Sequence, residues 1–257
     1  MTTLMIQKKF ITLAAFSLFC STSISNAAIS VLPGSGTGSA TFNSNYPQTV
    51  LSSFDASNAS KIVFTVSTEF GFNDDPLTSI TFGGDSFTPG VNGTNSIQNT
   101  TIYYLDATTA GGTFGTGDLV VNGTGRNDYG VSWMFLSGTA DGVGPINSST
   151  TQSVNLTTLV DGSFVVASHA NNGNSGAAQS PLTALLNADV GSAGGGSGYA
   201  TVVTAGSGNY SFTGSNSRPA TVAAAFEAAI PAAVIPEPSV ALLGSLSVLA
   251  LLRRRRN

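Results

Sequence analysis

The sequence predicts an all-β protein, a two-sheet, jelly-roll-like β-sandwich with one short helix. Three observations carry this. Short runs in the middle of the chain alternate apolar and polar residues. The runs are rich in β-branched and aromatic side chains, which suit a pleated surface. Clusters of Gly, Asn, Asp and Pro separate them. The same middle is poor in charge and full of Gly, Ser, Thr and Asn, a composition that a disordered stalk would share. The periodicity decides for the folded β domain.

Taken in order, Lys61–Glu69 alternates, with Ile62, Phe64 and Val66 on one face and Val63, Thr65 and Ser67 on the other. Leu77–Phe82 sets Ile80 and Phe82 on one face and stops at Gly83-Gly84. Thr100–Leu105 is β-branched and aromatic, and Leu119–Val121 is a short strand ending at Asn122-Gly123. Val131, Trp133 and Phe135 alternate with Ser132, Met134 and Leu136. Phe164 and Val166 oppose Val165 and Ala167; Val202-Val203, Tyr210–Phe212 and Thr221–Phe226 complete the set. Turn signals stand at Asn73–Pro76, Pro89-Gly90, Asn92-Gly93, Asp141-Gly142 and Asp161-Gly162. No repeat of fixed period is present. About nine to eleven strands are expected, an ordinary number for a sandwich.

One stretch departs from the pattern. Pro181–Val190 carries leucines at 182, 185 and 186, a helical spacing, with Pro181 suited to a first helical position and Ser180 to its cap. A short helix is predicted there, between glycine-rich loops at Asn171–Gly176 and Gly191–Gly198. The expected core is Phe64, Phe82, Tyr104, Trp133, Phe135, Phe164 and Phe226, since large aromatics supply much buried area each.

The two ends read differently. Residues 1–27 have a basic start at Lys8-Lys9, an apolar run Phe10–Cys20, and Ser25-Asn26-Ala27, which fits the small-x-small rule for cleavage after Ala27. Phe19 before Cys20 is too bulky for a lipoprotein signal. At the other end, Pro236-Glu237-Pro238 holds the chain extended. Ser239 can cap a helix over the apolar run Val240–Leu252. As a helix the run spans about 20 Å at about 1.5 Å per residue, short of the roughly 30 Å hydrocarbon core. Arg253, Arg254, Arg255 and Arg256 follow, and four adjacent cations are too costly to bury unpaired. They fit a stop-transfer element held on the cytoplasmic side, with snorkelling and local thinning extending the short transmembrane helix.

The tail resembles a PEP-CTERM sorting signal, the bacterial C-terminal signal handled by exosortase. The matching residues are Pro236, Glu237 and Pro238, the helix Val240–Leu252 and the arginines 253–256, about the last 22 residues. The resemblance implies an envelope of Gram-negative type, processing near the Pro-Glu-Pro motif, and association with exopolysaccharide or biofilm. More loosely, Ile80–Gly84, Ile102–Leu105 and Gly117–Val121 resemble the β-sandwich modules of bacterial surface proteins. That likeness implies a fold without an activity.

The organisation follows: signal peptide 1–27, β-sandwich ectodomain 28–230, Pro-rich linker 231–238, and hydrophobic sorting helix with its Arg-rich tail 239–257. Cys20 is the only cysteine and leaves with the signal peptide, so neither disulfide nor thiol chemistry is expected in the mature domain. Between residues 28 and 235 the cations Lys61, Arg126 and Arg218 face twelve acids, a formal −9. Such a surface repels phosphate backbones and argues against nucleic acid.

Candidate chemistry is sparse. A hydrolytic triad needs a nucleophile, a base and an orienting acid. His169 is the only histidine, and no G-x-S-x-G elbow occurs. His169 is expected at the surface, at a strand end running into Asn171-Asn172-Gly173. Glycoside hydrolysis needs paired carboxylates, and nothing brings Glu69 and Glu227 together. Zinc lacks ligands. Calcium needs only oxygens, and Asp74, Asp75 and Asp128 are the candidates, alongside their commoner role in turns. Gly194-Gly195-Gly196 lacks the lysine of a phosphate loop and reads as a flexible loop. Asn58, Asn92 and Asn155 head glycosylation triplets. Tyr103, Tyr129 and Tyr199 are candidates for sugar contact, against the plainer reading of packed tyrosines.

The expectation is an exported protein of the cell envelope, cell surface or extracellular matrix, structural or adhesive and without catalytic residues or cofactor. Exosortase and signal peptidase are its partners during export, exopolysaccharide a further one, and the membrane is met through the C-terminal helix before processing. The alternatives are a carbohydrate-binding module, calcium-dependent or not, and a secreted hydrolase using His169.

Overall fold

The computed structural model describes residues 28–42, 47–69, 77–123, 129–173, 176–190, 193–214 and 217–230. Among them seventeen strands and one short 3-10 turn form, and Asn26–Ala229 groups as one compact unit. The first part of the chain gives β1 (Ser30–Val31), β2 (Thr37–Phe42), β3 (Gln48–Asp55), β4 (Lys61–Glu69) and β5 (Leu77–Phe82). Next come β6 (Asp85–Ser86), β7 (Thr88–Asn95), β8 (Gln98–Asp106), β9 (Thr116–Gly123) and β10 (Tyr129–Ser137). The second part gives β11 (Ile146–Ser149), β12 (Ser153–Thr158), β13 (Ser163–Asn172), β14 (Thr183–Val190), β15 (Ala193–Val202), β16 (Gly206–Ser211) and β17 (Ala220–Phe226).

The all-β expectation holds, but the sheets number four, not two. Sheet I has the order β3-β9-β5-β6 and sheet II the order β1-β10-β4-β8-β7, with β2 also on β10. Sheet III runs β11-β17-β13-β15-β14 and sheet IV pairs β12 with β16. Chain order therefore assigns residues up to Ser137 to sheets I and II and residues from Ile146 to sheets III and IV. The pairings are antiparallel, including long ladders β4–β8, β4–β10 and β13–β15.

The apolar clusters stack these sheets in the order I, II, III, IV. Ile62, Phe64, Val66, Leu105, Val131, Trp133 and Phe135 of sheet II pack on Ile80, Phe82, Leu119 and Val121 of sheet I. The opposite face of sheet II, with Val63, Ile102, Met134 and Leu136, packs on Phe164, Val166, Val222, Ala224 and Phe226 of sheet III. The far face of sheet III, with Val165, Ala167, Ala200, Ala223 and Ala225, packs on Val154, Leu156 and Tyr210 of sheet IV. β4 and β10 are thus buried on both faces. Of the expected core residues, all are buried except Tyr104, which is half-buried against the II–III cluster.

The II–III interface explains why sequence alternation suggested only two sheets. Its sheet II face includes Thr65, Ser67, Thr100 and Ser132, residue types that read as solvent-facing, yet each is buried. Their hydroxyls form a seam with sheet III. Thr65 and Ser132 share a hydrogen bond of 2.7 Å, and Ser132 and Ser197 another of 2.7 Å. Thr100 Oγ1 donates to Ser168 Oγ at 2.7 Å, and Ser67 Oγ donates to the His169 carbonyl at 2.8 Å. Small side chains also let the sheets approach: a Cβ on Gly93 of β7 would lie 2.7 Å from Val222 Cγ1.

Three further expectations are corrected. Pro181–Val190 is not helical: Thr183–Val190 is β14, on the edge of sheet III beside β15. A bulge between Ala184 and Leu186 inserts a residue, and this produces the helix-like leucine spacing. Leu182 packs toward sheet IV and Leu185 toward sheet II. The glycines 194–196 are strand, not loop; a Cβ on Gly196 would fall 1.9 Å from the Gly176 carbonyl oxygen, so the bare backbone admits a crossing segment. Pro89-Gly90 and Asn92-Gly93 lie inside β7, an edge strand where proline is tolerated, and Ser96, with φ of 62°, turns the β7–β8 hairpin instead. Among the described residues no helix is long and apolar enough to cross a membrane. Ala27, Asp74, Asp75, Asp128, Pro236, Glu237, Pro238, the helix Val240–Leu252 and the arginines 253–256 lie outside the described residues.

The seam makes a stability prediction. Ser132→Ala strips the shared partner from both Thr65 and Ser197 in a buried interface. An unsatisfied buried hydroxyl costs about 1–3 kcal/mol. Urea unfolding is expected to show an unfolding free energy lowered by about that amount, read as a lower midpoint at unchanged slope.

Candidate functional site

Among the described residues a cleft with an aromatic wall and polar floor is present. It lies on the face of sheet II that looks toward sheet I. Antiparallel register builds its floor from two rows of cross-strand neighbours. One row is Asn92, Thr101 and Val66; the other is Asn99, Thr68 and Tyr129. Tyr103, two residues along β8 from Thr101 and so on the same face, forms a wall, and Leu77 at the start of β5 lies across from it. The cleft encloses about 220 Å³, the room of several waters at about 30 Å³ each.

Polar side chains in the floor are held in place. Asn99 Nδ2 donates to Asn92 Oδ1 at 3.1 Å, and Thr101 Oγ1 donates to Asn99 Oδ1 at 3.1 Å. Asn99 and Thr101 are buried while Asn92 is exposed at the rim. Burial pushes the Tyr103 phenol above its ordinary value, partly offset by the Thr101 hydroxyl, so the ring stays neutral and amphipathic. Neutral amides, hydroxyls and a ring face are the donor, acceptor and stacking set that recognises a carbohydrate without charge.

A second, open groove runs over the outside of sheet I. It measures about 540 Å³ and is lined by Ser53, Thr81, Thr116, Asp118, Val120 and Asn122. Among the described residues that line it none is aromatic. One oxygen of Asp118 is engaged, accepting the Ser53 N–H at 2.7 Å.

His169 is not a surface residue. It sits within β13, fully buried on the face toward sheet IV, with its ring stacked on Phe212 at 5.2 Å between centroids. Nδ1 lies 2.8 Å from Thr221 Oγ1 and Nε2 lies 3.0 Å from Asn171 Nδ2. Thr221 Oγ1 donates its proton to the Thr151 carbonyl at 2.6 Å, so it accepts from Nδ1–H, and Asn171 donates to Nε2. The hydroxyl, imidazole and amide lie in the sequence of a nucleophile, base and orienter. Here, however, the imidazole donates to the hydroxyl and cannot take its proton. All three side chains are buried beneath sheet IV. Thr221 and Asn171 satisfy both imidazole nitrogens, while Asn171 Oδ1 is buried without a hydrogen bond.

The remaining candidates separate. Tyr129 is buried and contributes to the cleft only through its floor; Tyr199 stacks on Phe164 at 5.1 Å and packs. Asn58, Asn92 and Asn155 are exposed. Among the described residues no group of three or more His, Cys, Asp or Glu gathers to hold a metal. Sequence reasoning found Tyr103 but missed Asn92, Asn99 and Thr101. The available signal was the alternation Asn99, Thr101, Tyr103, which puts all three on one face of β8.

The buried histidine fixes a pH dependence. Burial depresses the imidazole from 6.5 to about 4. Below 6.5 the unfolded chain takes up a proton that the folded chain refuses, so stability falls as pH drops from 6.5 toward about 4. The full loss is about 3 kcal/mol. Thr221, Asn171, Phe212, Gly176 and the Ala220 backbone lie against the ring, and none carries charge. Unfolding midpoints measured between these pH values should drop for the wild type and hold flatter for His169→Gln.

Comparison with protein-family models, with curated proteins and with solved structures finds no match.

Proposed function

We propose that this is an exported protein, sorted to the cell envelope by a PEP-CTERM and exosortase system, with a structural or adhesive role at the cell surface or in the exopolysaccharide matrix. The observation that carries the reading is a deeply layered β body set between two terminal segments with the features of processing signals. Four stacked sheets held by internal hydroxyls and a buried ion pair form a stiff unit suited to bearing or spacing other matter. Signal peptidase would act after Ala27 and exosortase near Pro236-Glu237-Pro238, with the arginines 253–256 anchoring the tail until then.

Mass spectrometry of the protein from its native host tests this. The expected product begins at Ala28 and ends near the Pro-Glu-Pro motif. Recovery of the untrimmed chain from the cytosol would overturn the reading.

The Tyr103 cleft favours a second reading, that of a carbohydrate-binding module. A glycan array would then report selective binding, and Tyr103→Ala should weaken it about tenfold or more, at about 1.4 kcal/mol per decade. Loss of binding on chelation would implicate calcium and the aspartates 74, 75 and 128. No selective sugar on the array leaves the structural reading in place of this one.

A further inference from the structure

Lys61 and Asp106 occupy an unusual position. Lys61 is the first residue of β4 and Asp106 the last of β8, and they are direct cross-strand partners. Both side chains leave the sheet on the same face, toward sheet III. Lys61 is fully buried and Asp106 nearly so. Lys61 Nζ lies directly against the Asp106 carboxylate. Two aromatic rings cover the amine, Tyr104 at 5.1 Å and Phe226 at 5.6 Å from Nζ to the centroid. The Gly142 peptide groups bracket the pair: Nζ donates to the Gly142 carbonyl at 2.7 Å, and the Gly142 N–H donates to Asp106 Oδ2 at 2.8 Å.

We propose that Lys61 and Asp106 condense to an intramolecular amide, an isopeptide cross-link between β4 and β8. A buried pair of opposite charges bears a large desolvation penalty, and a shared proton relieves it. Burial holds the Lys61 ammonium below its ordinary value and so favours the free amine. One proton passes from Nζ to Oδ1, leaving an amine against a neutral carboxyl. The nitrogen lone pair then bonds to Cγ, and charge develops on Oδ2, where the Gly142 N–H already donates, as an oxyanion donor should. A second proton moves from nitrogen to Oδ1, the Cγ–Oδ1 bond breaks, and one water leaves. The ammonium and carboxylate thus give a neutral amide plus water, with no co-reactant. Fixed contact replaces activation of the carboxyl, since well-oriented intramolecular groups reach effective molarities of about 10⁵–10⁸ M. The product keeps both Gly142 partners: its N–H faces the carbonyl and its oxygen faces the N–H.

Trypsin reads the link directly. Between residues 28 and 230 the basic residues are Lys61, Arg126 and Arg218, and Arg218 precedes Pro219, so denatured chain offers favourable cuts after Lys61 and Arg126. The full chain, purified and digested under denaturing conditions, is expected to resist cleavage at Lys61. Its fragment ending at Arg126 should weigh one water less than its sequence, with fragmentation branching at Lys61 and Asp106. Lys61→Arg should restore both the cut and the mass. Asp106→Asn should lose ammonia instead and reach the same product mass. The wild-type map decides even where a variant fails to fold. A fragment of full sequence mass overturns the proposal. So does a dehydrated fragment still cut at Lys61, the mark of a succinimide at an aspartate.

Discussion

The structure depends on the contact between sheets II and III. Sheet II has another sheet on each face, so the side of β4, β8 and β10 that carries Thr65, Ser67, Thr100 and Ser132 has no water to turn to. Each of those hydroxyls must find a partner inside the protein, because an unmade buried hydrogen bond costs more than a made one contributes. Ser67, Thr100 and Ser132 find theirs in the hydroxyls and carbonyls of β13 and β15, opposite them in sheet III, and Thr65 finds its own in Ser132 beside it. Small side chains make the approach close, and closeness makes the hydroxyls meet. The interface therefore selects one alignment of the two sheets, since a slip would leave buried hydroxyls unpaired. Gln98, two residues along β8 from Thr100, is buried with no hydrogen bond to its amide, and nothing in the structure accounts for it.

The same economy of partners governs the ionisable groups. His169 is neutral and held by Thr221 and Asn171; Lys61 lies against Asp106 under two aromatic rings. His169 looks like chemistry in a sequence, and it closes a polar gap between neighbouring strands instead. The Lys61–Asp106 pair goes one step further, because condensation converts two buried charges into one neutral amide with its partners in place. A cross-strand covalent link and a stack of four sheets both suit a protein that must keep its shape under load, which agrees with the structural role proposed for it.

What faces outward is mostly neutral and polar. The cleft beside Tyr103 combines a ring wall with amides fixed by one another, and the groove over sheet I offers hydroxyls and one carboxylate. A neutral cleft of this kind favours polyhydroxy ligands over phosphates, in keeping with the acidic balance of the chain.

Much of the strand pattern was legible. Lys61–Glu69, Leu77–Phe82 and Val131–Leu136 are strands as their alternation implied, and their aromatic residues Phe64, Phe82, Trp133 and Phe135 are buried on the face that alternation assigned them. Local chemistry decides such things, because a pleat puts every second side chain on one face. The readings of the terminal segments rest on charge and hydropathy along short stretches and lie outside the described residues. The number of layers was not legible. Serine and threonine on the second face of a strand look the same whether water or another sheet lies beyond them. Likewise a leucine spacing of three and four fits a helix turn or a bulged strand, and three glycines fit a loop or a strand crossed closely by another segment. In each case the choice rests on a partner distant in sequence, which only the tertiary structure supplies. It was likewise the stacking of sheet III on sheet II, not any motif, that buried His169 and drew Lys61, Asp106 and Gly142 together.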